Sequence, residues 1–173
     1  MSAALPSDLA LRPLGPEDAA AATVVTAATD RTYLEWLPAG WEPIAASEER
    51  ARIRRALAEP GAWAVGAFER GGRMVAFATA RRADEEDADG RPRGHLVHLF
   101  VHPDRWRQGI AAALLQRAEE EMLRQGFREA VLWTPRGAPA TCFYLSMGWK
   151  RNGSEAYIEA YDLQMIGFSR RLA

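Results

Sequence analysis

The segment from His98 to Ala111 reads His-Leu-Phe-Val-His-Pro-Asp-Arg-Trp-Arg-Gln-Gly-Ile-Ala and passes from a short apolar run through a turn into an amphipathic helix. Leu96 to Val101 has strand composition, Pro103 and Asp104 interrupt it, and Gly109 stands where the chain must bend. Beyond the bend, Ile110, Leu114, Ala118 and Met122 recur every fourth residue with Ala111 and Leu115 beside them, which predicts a helix with one buried stripe, closed by Gly126. The first amides of such a helix are unpaired and the peptide dipoles favour negative charge there. Arg105 and Arg107 add full positive charges. A phosphate or pyrophosphate is the ligand this chemistry suits, although the same strand-turn-helix also serves as an ordinary α/β crossover.

A second segment carries equal information. From Gly137 to Trp149 the chain reads Gly-Ala-Pro-Ala-Thr-Cys-Phe-Tyr-Leu-Ser-Met-Gly-Trp. Pro135-Arg136-Gly137 breaks a preceding strand, Pro139 suits the first turn of a helix, and Gly148 closes it. Together the two segments resemble motifs A and B of the GNAT superfamily of acetyl-CoA-dependent N-acetyltransferases. Val101-His102-Pro103 and Gly109-Ile110-Ala111 match the strand end and pyrophosphate loop of motif A. Ala140, Phe143, Tyr144 and Gly148 fall at the spacings of motif B, with Trp149 standing in for its last aromatic. Three positions depart from the pattern: Trp106 replaces the usual Gln or Arg, Arg107 the frequent Gly, and Gly137 the usual Asn. More loosely, the resemblance extends from Leu9 to Leu172.

Length and composition agree with one domain over residues 1–173. A chain of 173 residues is long enough for one substantial core and short for two. Lys+Arg of 22 against Asp+Glu of 23 leaves no broad positive field for nucleic acid or an anionic membrane. The lone Cys142 excludes an internal disulfide and fits a reducing compartment. No window approaches the roughly 18 consecutive apolar residues that span a bilayer, and no basic region precedes an apolar signal core. A cytoplasmic protein is the expectation.

The remaining elements follow from punctuation. Leu9 to Leu14 reads as a strand stopped by Gly15-Pro16, and a helix follows with Glu17-Asp18 in its first turn, running to about Ala28. An aromatic-rich loop comes next. Ser47 is the expected cap of the second helix, with Glu48 and Glu49 in its first turn and Pro60-Gly61 at its end. Ala62 to Glu69 and Arg73 to Arg81 read as a hairpin. The acidic run Asp84 to Gly90 reads as a solvated loop. Ala130 to Thr134, Ser154 to Ala160 and Leu163 to Arg170 read as three further strands. The alternation of helices and hairpins predicts an α/β (α+β) domain with a mixed sheet. The resemblance sharpens this to a GNAT-like, mostly antiparallel sheet of about seven strands, split between strands 4 and 5 and flanked by about four helices.

The same resemblance implies acetyl transfer from acetyl-CoA to a primary amine by direct attack on the thioester. The pantetheine arm would lie in the split, pairing with the backbone of Leu99, Phe100 and Val101. The loop Arg105, Trp106, Arg107, Gln108, Gly109, Ile110 and Ala111 would hold the pyrophosphate, with Gly137 and Phe143 completing the cofactor side. Tyr144 would protonate the departing sulfur, whereas its spacing with Ala140, Phe143 and Met147 alone would make it a core aromatic. Amines are mostly protonated at neutral pH, so a base is needed. His98, whose imidazole titrates near neutrality, is the candidate, with Glu35 competing. Strand alternation puts His98 with Leu96 and Phe100, and His95 with Val97 and Leu99, unless a bulge intervenes. The three histidines His95, His98 and His102 have no completing ligand set, so no metal is expected. Cys142 reads as a small buried hydrophobe. Tyr33, Glu35 and Trp36 fall where the family lines its acceptor side. Their aromatic segment either receives a small-molecule or peptide amine, packs on the sheet, or forms a subunit contact in a homodimer. Two function classes remain open: an active N-acetyltransferase, and a non-catalytic acyl-CoA-binding or sensing module of the same fold.

Overall fold

Met74 to Ala80 is buried at every position, which a strand achieves only with apolar cover on both faces. The structure, a computed structural model, describes residues 4–173. Its seven-stranded sheet runs in the order β1-β2-β3-β4-β5-β7-β6, from β1 (Leu9–Pro13), β2 (Trp63–Glu69), β3 (Met74–Glu86), β4 (Pro92–Val101), β5 (Glu129–Pro135), β6 (Lys150–Ile158) and β7 (Leu163–Arg171). All neighbours are antiparallel except β4 and β5, which are parallel.

Helices cover the two faces. Ala19, Ala22 and Val25 of α1 (Ala19–Tyr33) and Ile53 and Leu57 of α2 (Ala46–Ala58) pack over Met74 and Phe77. On the other face, the stripe of α3 (Ile110–Arg124) meets Val75, Ala76, Ala78 and Ala80, and α4 (Ala140–Ser146) adds Tyr144 beside Phe168 of β7. Trp149 is 1% exposed, and its indole N–H donates to Glu119 Oε1 on α3 at 2.8 Å. That bond ties the end of the second motif to the helix of the first.

Five expectations are corrected. α1 runs to Tyr33 rather than Ala28, because no Gly or Pro interrupts until Pro38; inside it the Thr29 and Thr32 hydroxyls bond back to the carbonyls of Val25 and Thr29. α2 begins at Ala46 with Ala45 at its cap position and no side-chain cap, so Ser47 lies inside the helix. The acidic run is strand in its first three residues: β3 continues to Glu86, with arginines matching its charges, Arg81 on Asp84 and Arg93 on Glu85, and the turn from Asp87 to Arg91 follows. β4 accordingly starts at Pro92, and β6 covers Lys150–Ile158 rather than Ser154 to Ala160.

A β-bulge sets the register of β4. Thr79 pairs with His98 but Ala80 pairs with Leu96, which leaves Val97 as the extra residue. Strict alternation therefore fails: His95, His98 and Phe100 share the α1/α2 face, while Leu96, Leu99 and Val101 share the α3 face. Pairing of β4 with β5 covers only Gly94–Ala130, His95–Val131 and Leu96–Leu132. The two strands separate where the bulge begins.

Candidate active site

The separation of β4 from β5 opens a cavity of about 820 Å³ that passes through the sheet. Thr29, Thr32, Tyr33 and Trp36 wall it from the α1 side, and Ile110, Ala111, Phe143 and Tyr144 from the α3/α4 side. Leu99, Phe100 and Val101 form its floor along an edge of β4 that has no strand partner.

One end of this cavity gathers groups whose chemistry suits an anion. Gly109 caps α3 in the left-handed conformation (φ 78°), with no side-chain cap and no acid in the first turn. The amides of Ile110, Ala111 and Ala112 are therefore aimed outward without partners. Arg107 is exposed, lines the cavity, and has no carboxylate partner among the described residues. Its φ of 62° puts a non-glycine residue in the left-handed region, the conformation for which glycine is the common choice. Arg105 also lines the cavity but is already paired, to Asp8 at 2.7 Å and Glu69 at 3.4 Å. Trp106 lines the cavity too, and its indole N–H donates to the Val101 carbonyl at 2.7 Å.

Tyr144 supplies the polar group at the centre. The residue is 8% exposed, its ring sits against Phe143, Trp149 and Phe168, and its hydroxyl has no hydrogen-bond partner among the described residues. Burial pushes the phenol far above its ordinary value, so it is a neutral donor at physiological pH. Thr141, one helical turn earlier on the same helix, also has a buried hydroxyl without a partner.

The other predicted residues lie at or beyond the margin. His98 faces α1 and α2 between Phe77 and Phe100 and is not part of the cavity wall. It shares a hydrogen bond of 2.7 Å between Nδ1 and the Thr79 hydroxyl. Burial and the neighbouring His95 lower its pKa to about 4, so the ring is neutral and a weak base. Glu35 and Gln108 are exposed and outside the wall. Gly137 is also outside it, holding a left-handed turn (φ 83°) beside Trp36. Asn is the residue after glycine best able to adopt that conformation, which gives the Asn-to-Gly departure a backbone rationale. Cys142, read from sequence as buried, is exposed and lines the cavity, because the short α4 turns that side away from the core.

Sequence reasoning missed the acidic groups on the α1/α2 face. Asp30 is half-buried on α1 and Glu49 is 6% exposed on α2. Glu49 Oε2 accepts from the Tyr161 hydroxyl at 3.2 Å, and the Trp41 indole N–H donates to the Tyr161 carbonyl at 3.0 Å. Burial, and then the charge of Glu49, push the Asp30 carboxyl up to about 7. Once α1 is extended, Thr26, Asp30 and Tyr33 are spaced at i, i+4 and i+7, the signal of one shared helix face. Among the described residues no group of three or more His, Cys, Asp or Glu side chains is placed to hold a metal ion. Among the described residues no helix is long and apolar enough to cross a membrane.

Residues 27–149 match the Acetyltransferase (GNAT) family. The chain belongs to this family, with the seven-stranded mixed sheet, parallel β4/β5 pair and four helices of the GNAT fold. Its structure is similar to the GCN5-related N-acetyltransferase of Rhodopseudomonas palustris, with a TM-score of 0.73 and 20% identity over 98% of this chain and 99% of that one. It is similar to the PaiA N-acetyltransferase of Thermoplasma acidophilum, solved in complex with coenzyme A (TM-score 0.66, 19% identity, 94% and 98% covered). The ribosomal-protein-S18-alanine N-acetyltransferase of Escherichia coli is also similar (TM-score 0.66, 18% identity, 95% and 94% covered). No curated protein sequence matches the chain.

Proposed function

We propose that the protein transfers the acetyl group of acetyl-CoA to a primary amine, a small molecule or a peptide or protein amine, by direct attack on the thioester. The observation that carries this reading is the cavity through the split sheet, which joins an anion cradle at the start of α3 to the unpartnered hydroxyl of Tyr144. In this reading the Ile110, Ala111 and Ala112 amides and Arg107 hold the pyrophosphate. The free edge of β4 from Val97 to Val101 aligns the pantetheine arm as an added strand. Tyr144, kept neutral by burial, gives its proton to the departing sulfur. The E. coli neighbour is a ribosomal-protein-S18-alanine N-acetyltransferase and the T. acidophilum neighbour was solved with coenzyme A, which supports both halves of the reaction.

CoA binding tests the cradle. A Cβ at Gly109 meets only the Ala4 carbonyl oxygen, at 3.8 Å, so Gly109→Asp has room and costs about 1 kcal/mol of left-handed backbone strain while placing a carboxylate where the anion would sit. Affinity for CoA should fall tenfold or more, about 1.4 kcal/mol. Unchanged affinity in the folded variant overturns the cradle.

A further inference from the structure

The two halves of the cavity differ in what they offer a ligand. Among the described residues, its charged lining side chains are Arg105 and Arg107, both at the α3 end, and none of its lining side chains is a carboxylate or a histidine. The α1 half is aromatic. Tyr33 and Trp36 stand with ring centroids 4.8 Å apart, and Phe100, stacked on Phe77, continues that surface from β4. Thr29 and Thr32 lie between them with hydroxyls already donated to the carbonyls of Val25 and Thr29. Rings beside internally satisfied polar groups suit a flat, uncharged guest. An ammonium ion would be drawn to the ring faces, but that attraction is worth less than the water it gives up where no anion pairs with it.

The proton count points the same way. A neutral amine needs one proton moved, from nitrogen to sulfur, and a single phenol can move it. An ammonium brings one proton more, which a nearby side chain must take before the nitrogen can attack. The wall holds no such group. Its titratable side chains besides the two arginines are Tyr33, Tyr144 and, on α4, Cys142. Burial raises both phenols far above their ordinary value. Asp30 of α1 and Glu49 of α2 act on the Tyr33 phenol through their charge but do not line the cavity, and the exposed Glu35 does not either. On β4, His98 is turned toward Phe77 and Phe100.

We infer that the acceptor is an arylamine, an aromatic amine that is neutral at physiological pH because its lone pair is delocalised, seated with its ring against Tyr33, Trp36 and Phe100. This rests on the acetyl-transfer reading above and deepens it. The nitrogen lone pair forms the N–C bond to the thioester carbon, the C–S bond breaks, and the sulfur takes the Tyr144 proton. One of the two nitrogen protons then replaces it. The products are an anilide and a free thiol, with Tyr144 as it began.

The test measures thiol release from acetyl-CoA between about pH 6.5 and 9 with para-anisidine, benzylamine and trifluoroethylamine. The first is aromatic and weakly basic, the second aromatic and strongly basic, the third weakly basic without a ring. For para-anisidine kcat/KM should be independent of pH, and at neutral pH it should exceed that of benzylamine at least tenfold, because only on the order of 10⁻³ of an alkyl amine is free base there. For benzylamine it should climb about tenfold per pH unit until the amine itself is deprotonated. Trifluoroethylamine should share the flat profile with a KM about tenfold higher than that of para-anisidine. Trp36→Leu should raise the KM for para-anisidine several-fold, move that for trifluoroethylamine little, and leave CoA affinity unchanged.

A benzylamine profile that levels off near neutrality, or a rising limb with para-anisidine, reveals an enzymic base and overturns the inference while acetyl transfer stands. A preference for benzylamine at neutral pH, or equal KM values for para-anisidine and trifluoroethylamine in the wild type, does the same. If no amine releases thiol although CoA binds, the acetyl-transfer reading is what has failed. Saturation-transfer NMR on the CoA-loaded protein then decides the ring site alone: para-anisidine signals that Trp36→Leu weakens support it, and signals absent from the wild type or unaltered in the variant overturn it.

Discussion

Trp106 donates its indole N–H to the main-chain carbonyl of Val101 at 2.7 Å, pinning the loop before α3 to the end of the strand that forms the cavity floor. The Thr29 hydroxyl reaches the same carbonyl at 3.4 Å, so α1, β4 and the loop converge on one acceptor. Trp106→Phe keeps most of the ring and removes the donor. Loss of this bond should cost on the order of 1 kcal/mol and show as about a fivefold weaker CoA affinity in calorimetry. CoA affinity identical to wild type would mean that the loop holds its shape without the indole.

Arg107 combines a charge that the ligand can use with a backbone angle that it pays for in strain. Arg107→Gly removes both. Thermal unfolding should show a gain of about 1 kcal/mol, since a left-handed non-glycine residue carries roughly that strain. CoA binding should weaken and lose part of its salt dependence. A variant that gains stability and binds CoA as before, with the same salt dependence, would show that the guanidinium does not touch the ligand.

The phenol of Tyr144 separates chemistry from packing. Tyr144→Phe retains the ring contacts with Phe143, Trp149 and Phe168, so the fold and CoA affinity should survive. Turnover should fall about 10²-fold if the hydroxyl protonates sulfur. Steady-state kinetics within a factor of two of wild type would make Tyr144 a core aromatic only.

His95 and His98 both sit on the α1/α2 face with pKa values lowered to about 4, chiefly by burial. Unfolded histidine titrates near ~6.5. Between these values the unfolded chain binds protons that the folded chain refuses, so the stability present above pH 6.5 is lost as pH falls toward 4, on the order of 2–3 kcal/mol per histidine. His98→Gln should remove roughly half of the drop in urea midpoint between pH 7 and 4.5. A drop of undiminished size in the variant would place the acid sensitivity elsewhere.

The sheet, its helices and the uncapped start of α3 were legible because each has a local cause: the i, i+4 stripe from Ile110 to Met122, the bend at Gly109, and the glycine-closed helix before Trp149. What escaped depends on contacts across elements. The bulge at Val97 is a property of the Thr79–His98 pairing, not of the β4 sequence, and it moves both histidines to one face. Arg105 reads as a free cation in the chain but meets Asp8 and Glu69 in space. Asp30 became visible only once α1 continued past Ala28, since a residue assigned to a loop has no helix face. Glu49, read as a first-turn acid, is a buried one because α1 lies against it.

Product balance tests acetyl transfer most directly. Acetyl-CoA and an amine panel of arylamines, alkylamines, polyamines and amino-acid amides would be incubated with the protein, with thiol measured by a colorimetric reagent and N-acetylated amine by mass spectrometry. Thiol and acetylated amine in equal amounts, formed by wild type and lost in Gly109→Asp, are the predicted result. CoA bound tightly by wild type, with thiol release no faster than the uncatalysed reaction for every amine, would contradict acetyl transfer and leave an acyl-CoA-binding module.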